Sequence, residues 1–77
     1  MPRNTVYDAI RAAGGPMFVG HELGVSSATL ARWRRDNVVH AAADALRLAA
    51  LATNGAGPRA QLQLARTLAG LPAAGAK

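Results

Sequence analysis

Pro16-Met17-Phe18-Val19-Gly20-His21-Glu22-Leu23-Gly24-Val25-Ser26-Ser27-Ala28-Thr29-Leu30-Ala31-Arg32-Trp33-Arg34-Arg35 is the stretch whose reading decides the fold. Two short helices that cross steeply need a very small residue where their backbones touch, and Gly20 stands at that offset. The turn between them needs a residue that tolerates positive φ, which Gly24 supplies. The residue after the turn should point inward and seal the corner, a role open to Val25, with Ser26 as the cap of the second helix. Val19 and Leu23 share one face of the first helix; Leu30 and Trp33 share one face of the second. The pattern predicts a helix-turn-helix, with helices over 16–23 and about 26–36.

The second of these helices has two unlike sides. With Ala28 at zero and about 100° per residue, Leu30 and Trp33 fall at about 200° and 140°, the side expected to face the core. Ala31, Arg32 and Arg35 fall at about 300°, 40° and 340°, grouped with Ala28 on the opposite side. Small residues there permit close approach, and a guanidinium can pair bidentately with O6 and N7 of guanine in a major groove. Ser27, Ala28, Arg32 and Arg35 are therefore the candidate base-reading residues. Ser26, at the helix N-terminus, and Arg34, at about 240°, are the candidate phosphate contacts. A solvated basic face is the competing reading of the arginines. Trp33 could stack on a base, but its phase with Leu30 marks it as core.

Working outward, Thr5-Val6-Tyr7-Asp8 fits a capping-box variant with Thr5 as cap, and Val6, Ala9, Ile10 and Ala13 form one apolar stripe. Gly14-Gly15 ends that helix and Pro16 suits the first position of the next. Phe18 lies away from Val19 and Leu23, and either packs on the fourth helix or lines a surface contact. Asn37 can cap that fourth helix, with Val39, Ala42, Ala43, Leu46, Ala49 and Ala50 as its buried face. Asn54-Gly55-Ala56-Gly57-Pro58 is a stop-and-turn signal. A fifth helix over about 58–69 carries Leu62, Ala65 and Leu68, with a second edge at Leu64 and Leu71. The expected architecture is all-α: an N-terminal arm (1–4), a helix-turn-helix domain (5–53), a C-terminal helix (54–71) and a flexible tail (72–77).

Composition narrows the function. The 77 residues hold no Cys, which removes disulfides, thiolate zinc sites and thiol nucleophiles together. A chain of this length predicts one domain burying roughly 60% of its unfolded surface, too little for a deep substrate cavity and its supporting shell. About a quarter of the residues are Ala, so much of the 51% hydrophobic content is small and suits closely packed helices. No uncharged apolar stretch approaches the roughly 20 residues that span a bilayer. Residues Met1 to Thr5 open no apolar signal segment. Nine Lys and Arg against four Asp and Glu leave +5, and the sequence pI is near 11.5, which points to a polyanion. His21 and His40 have no ligand spacing between them, His21-Glu22 lacks the second His of a metalloprotease helix, and Gly14-Gly15 is no phosphate loop. The four acids assemble no catalytic set, so neither an enzyme, a cofactor nor a metal site is expected.

Residues 5–53 resemble the helix-turn-helix domains of small phage and plasmid repressors of the Cro/cI-like superfamily. Ala9-Ile10-Arg11-Ala12-Ala13-Gly14-Gly15, Leu23-Gly24-Val25-Ser26 and Trp33-Arg34-Arg35 are particularly similar to the YdaS-like Cro group. That family's usual small residue in the first motif helix is Ala; Gly20 keeps the close approach and loosens the helix slightly. The resemblance implies a cytoplasmic, nucleoid-associated repressor that binds double-stranded DNA as a homodimer on a short inverted repeat. Leu62, Leu64, Leu68 and Leu71 are the expected dimer contacts, with Leu48 and Leu51 as further contributors; the competing reading has this helix completing the monomer core. An antitoxin or protein-interaction adaptor, and an accessory DNA-bending recombination protein, are the alternative functions.

Overall fold

Helices end where the sequence supplies a residue able to leave the helical region, as at Gly14, Gly24, Asn37 and Asn54, and the described residues form five helices. The computed structural model describes residues 4–54 and 57–70. In chain order they form α1 (Thr5–Ala12), α2 (Pro16–Leu23), α3 (Ser27–Asp36), α4 (Ala42–Thr53) and α5 (Pro58–Leu68), with no strand among the described residues. The expected arm residues 1–3, the tail 72–77 and Leu71 lie outside the described residues.

Asn4, one residue before the expected Thr5, caps α1: its Oδ1 accepts from the Tyr7 N–H at 2.7 Å. Asn and Ser lead the capping scale and Thr follows, so the shift is a single step along the same chemistry. The stripe is as expected, with Val6, Ala9, Ile10 and Ala13 all buried. Gly14 and Gly15 then run at φ 123° and 99°, and Pro16 opens α2. Phe18, 45% exposed, is outside the buried core and lies beside Gly14, where an added Cβ would come within 2.9 Å of its Cδ2.

α4 departs most from expectation. Asn37 does not cap it; with φ 55° it closes α3 in the left-handed region, and the Val38 N–H returns to the Trp33 carbonyl at 3.1 Å. Residues 38–41 connect the two helices, and the Val39 N–H donates to the Leu68 carbonyl at 2.7 Å. α4 therefore begins at Ala42 behind Ala41, which makes no side-chain cap. Its buried residues are Ala45, Leu48 and Ala49, whereas Ala42, Ala43, Leu46 and Ala50 face outward. The inward face is rotated by one residue, about 100°, from the expected one. α5 is turned too: Ala65 and Leu68 are buried, Leu64 packs on the core edge, and Leu62 is exposed.

The core gathers Val6, Ile10, Val19, Trp33, Val39, Leu48 and Leu68, all fully buried. Trp33, at 2% exposure, is the largest of them and anchors α3, which packs against α1 and α2. No polar side chain is buried among the described residues, so apolar burial carries the stability.

Candidate nucleic-acid interface

The candidate interface is built from α3 and the elements that hold it. α2 ends at Gly24, φ 69°, and the Gly24 and Val25 N–H groups both return to the Gly20 carbonyl. That closure, with Gly at the left-handed position, is the common way to stop a helix abruptly. It turns the chain so tightly that a Cβ on Gly20 would sit 3.2 Å from the Val25 carbonyl oxygen and 3.4 Å from Leu30 Cδ1. Val25 is half-buried against the core. Val19, Leu23, Leu30 and Trp33 are buried. The Ser26 hydroxyl then accepts from the Thr29 N–H at 3.1 Å and shares a hydrogen bond with Thr29 Oγ1 at 3.0 Å.

A contact invisible in local sequence fixes the end of α2. Arg47, reaching over from α4, donates from Nη2 to the Glu22 carbonyl at 2.8 Å and from Nη1 to the Leu23 carbonyl at 3.4 Å. These are among the last carbonyls of α2, which lack partners inside the helix. The guanidinium also favours the negative end of the helix dipole. Asp44, one turn earlier in α4, lies 3.6 Å from Arg47.

On the opposite side from Leu30 and Trp33, the residues Ala28, Ala31, Arg32 and Arg35 are exposed; Ser27, also exposed, stands one turn before Leu30 on the α2 side. Ala28, Thr29, Ala31, Arg32 and Arg35 line one shallow groove along α3, floored by alanines and edged by the two guanidinium groups. Thr29, missed from sequence, also lines this groove, its hydroxyl 3.0 Å from that of Ser26. A second groove runs between α2 and α3 and is lined in part by Met17, Gly20, His21, Ser27 and Ala31. Met17, 90% exposed, stands at its edge.

Three of the expected contacts have protein partners. Arg35, 72% exposed, meets Asp36 at 3.3 Å, and Asp36 also pairs with His40 at 3.0 Å. The hydrogen bonds from His40 and then Arg35 hold the Asp36 carboxyl below its ordinary value. The Ser26 hydroxyl is engaged in the cap, so an anion at this end of α3 would meet the first-turn N–H groups. Arg34 lies toward α1: its guanidinium is 5.8 Å from the Tyr7 ring centroid, as is that of Arg11. The Tyr7 hydroxyl accepts from Arg11 at 3.1 Å and raises the Arg11 pKa above its ordinary value. Tyr7 and Arg11 stand at i, i+4 on one helix, a spacing that signals such a pair.

α1 and α3 are joined where the first begins and the second ends. Asn4 Nδ2 donates to the Arg34 carbonyl at 2.6 Å, and Asn37 Oδ1 accepts from the Val6 N–H at 3.1 Å.

The expected dimer contacts separate. Leu68 is 0% exposed and belongs to the core, Leu48 is likewise buried, and Leu64 and Leu51 pack against the core. Only Leu62 of the four expected leucines is exposed among the described residues, at 54%, and it lies between Arg59 and Arg66. A core position needs a large apolar residue as much as an interface does, which is why these leucines misled. No helix is long and apolar enough to cross a membrane among the described residues. Compared with known proteins, the chain matches no family model, no curated protein and no solved structure.

Proposed function

We propose that this protein binds double-stranded DNA by laying α3 in the major groove, and acts as a sequence-specific repressor. One observation carries the reading. α3 buries Leu30 and Trp33 on one side and exposes Ala28, Ala31, Arg32 and Arg35 on the other, in one groove. A major groove about 12 Å wide admits a helix with small residues at its crest, and flanking arginines then reach guanine edges. The abrupt α2–α3 turn, the net charge of +5 and the resemblance of residues 5–53 to Cro/cI-like repressors support the same reading. Arg32 and Arg35 are the base readers; Arg34, with Arg11 beside it, contacts phosphate.

One copy offers few base contacts, so two copies act on an inverted repeat, with half-sites about 34 Å apart. The described residues measure 34 × 27 × 24 Å, and two copies of them fit side by side at that spacing. Leu68 and Leu48 are no part of their contact, because each is already buried within its own chain. Such a protein works in the cytoplasm, on the nucleoid.

Selection of bound sequences from a random duplex library tests this. Enrichment of an inverted repeat with half-sites one helical turn apart is the expected result; an unenriched library would refute it.

A further inference from the structure

We infer that the outward stripe of α5 (Arg59, Leu62, Gln63 and Arg66) docks an acidic amphipathic helix of another protein. These four residues recur at i, i+3, i+4 and i+7, which places them on one helical face. They line a single shallow groove with Pro58. At its centre Leu62 is the most exposed leucine among the described residues. Arg59 and Arg66 bracket it, about 10 Å apart along the axis at 1.5 Å per residue.

Among the described residues no carboxylate pairs with Arg59 or Arg66. The four acids, Asp8, Glu22, Asp36 and Asp44, belong to α1, α2, α3 and α4, and the sequence holds no Asp or Glu from Ala45 to Lys77. Asp44, the acid nearest in sequence, is paired with Arg47. The complement of this stripe is a helix carrying an apolar residue between carboxylates about two turns apart.

A second copy of this chain is the poorer occupant. Two-fold pairing of identical stripes sets guanidinium against guanidinium, with no carboxylate on α5 to intervene. A duplex would satisfy the arginines but leave Leu62 against phosphate. The stripe is also remote from the candidate DNA face: α5 packs on α4 and α1 and does not approach α2 or α3 among the described residues. Occupancy of α5 therefore leaves α3 open, and the inference stands whether or not α3 binds DNA.

The test is fluorescence anisotropy of the full chain with a labelled synthetic peptide of about 18 residues, long enough to hold a helix alone. The peptide carries Leu between Glu residues seven apart on one face; its twin has Gln for every Glu. Saturable, salt-sensitive binding of the Glu peptide alone is expected. Arg59→Gln with Arg66→Gln should weaken it roughly tenfold, and Leu62→Ala should weaken it as well. Arg59 and Leu62 are exposed and Arg66 is half-buried at the rim of the groove, so thermal melts should change little. Equal binding of the two peptides, or no effect of the arginine variants, would overturn the proposal. A dimer in analytical ultracentrifugation that Leu62→Ala dissolves would assign the stripe to a second copy instead. Loss of DNA affinity in the arginine variants would assign it to the duplex.

Discussion

Replacing Arg47 by Met keeps an unbranched stem on α4 and removes the guanidinium that closes α2. The 2.8 Å hydrogen bond to the Glu22 carbonyl is solvent-exposed, so water replaces it in the variant and the net loss is about 1 kcal/mol. The 3.4 Å bond to the Leu23 carbonyl is near the geometric limit and adds roughly 0.3 kcal/mol. Loss of a cation beside the C-terminal end of a helix costs about 0.3–0.5 kcal/mol more. The Asp44 pair, at 3.6 Å and half exposed, contributes little. The sum, about 1.5–2 kcal/mol, should lower the melting temperature of a domain this size by about 6–16 °C, read by circular dichroism at 222 nm. Arg59→Met, which loses no side-chain hydrogen bond among the described residues, is the matched control and should melt like the parent. Arg47→Lys should recover only part of the loss, since an ammonium lacks the fork that reaches both carbonyls. A shift below about 2 °C for Arg47→Met, or equal shifts for Arg47→Met and Arg59→Met, would refute the assignment of Arg47 as the clamp on α2.

Trp33→Ala should cost about 3–5 kcal/mol, a large share of a small domain's stability, and leave a chain that loses its helical signal at ordinary temperature. Its retention with only DNA affinity lost would move Trp33 from core to interface. Arg32→Ala and Arg35→Ala should each cost about 1–3 kcal/mol on the selected site and relax preference at particular bases. Arg34→Ala should weaken all sequences alike and lower the salt slope by about one; gel shifts on selected and scrambled duplexes separate the two outcomes. Because Asp36 is held below its ordinary value of 3.8, its pairing supports the fold above that value and is lost as the pH falls through the depressed one. Asp36→Asn should therefore flatten the acid limb of a plot of melting temperature against pH, and an unchanged limb would count against the pairing with Arg35 and His40.

α1 to α3 were legible because their boundaries are written in residues with one physical use each. Gly14, Gly15, Pro16 and Gly24 break and restart helices, Ser26 caps, and the large apolar residues between them keep a clean helical period. α4 was not legible to the same degree. Half of its twelve residues are alanine, and alanine carries almost no phase information; Leu48 and Arg47 fix the rotation, and only through what they meet in space. Asn37 misled because its small polar side chain suits a helix start and a left-handed stop equally well. Of the α3 face, the outward set could be read from the wheel. The turning of Arg34 toward Tyr7 could not, because it depends on where α1 lies. Leu62 and Leu68 look alike in sequence, and only packing against α4 and α1 separates the exposed one from the buried one.

The two asparagine bonds between the start of α1 and the end of α3 convert an open run of chain into a ring without a covalent link. An amide in the first turn of a helix ordinarily trades its proton with water freely, because no carbonyl precedes it to hold it. The Val6 amide is held by Asn37, across 31 positions of sequence, so its proton leaves only when the far end of α3 lets go. Its exchange rate is thus a clock for the opening of α3, set at the opposite end of the ring.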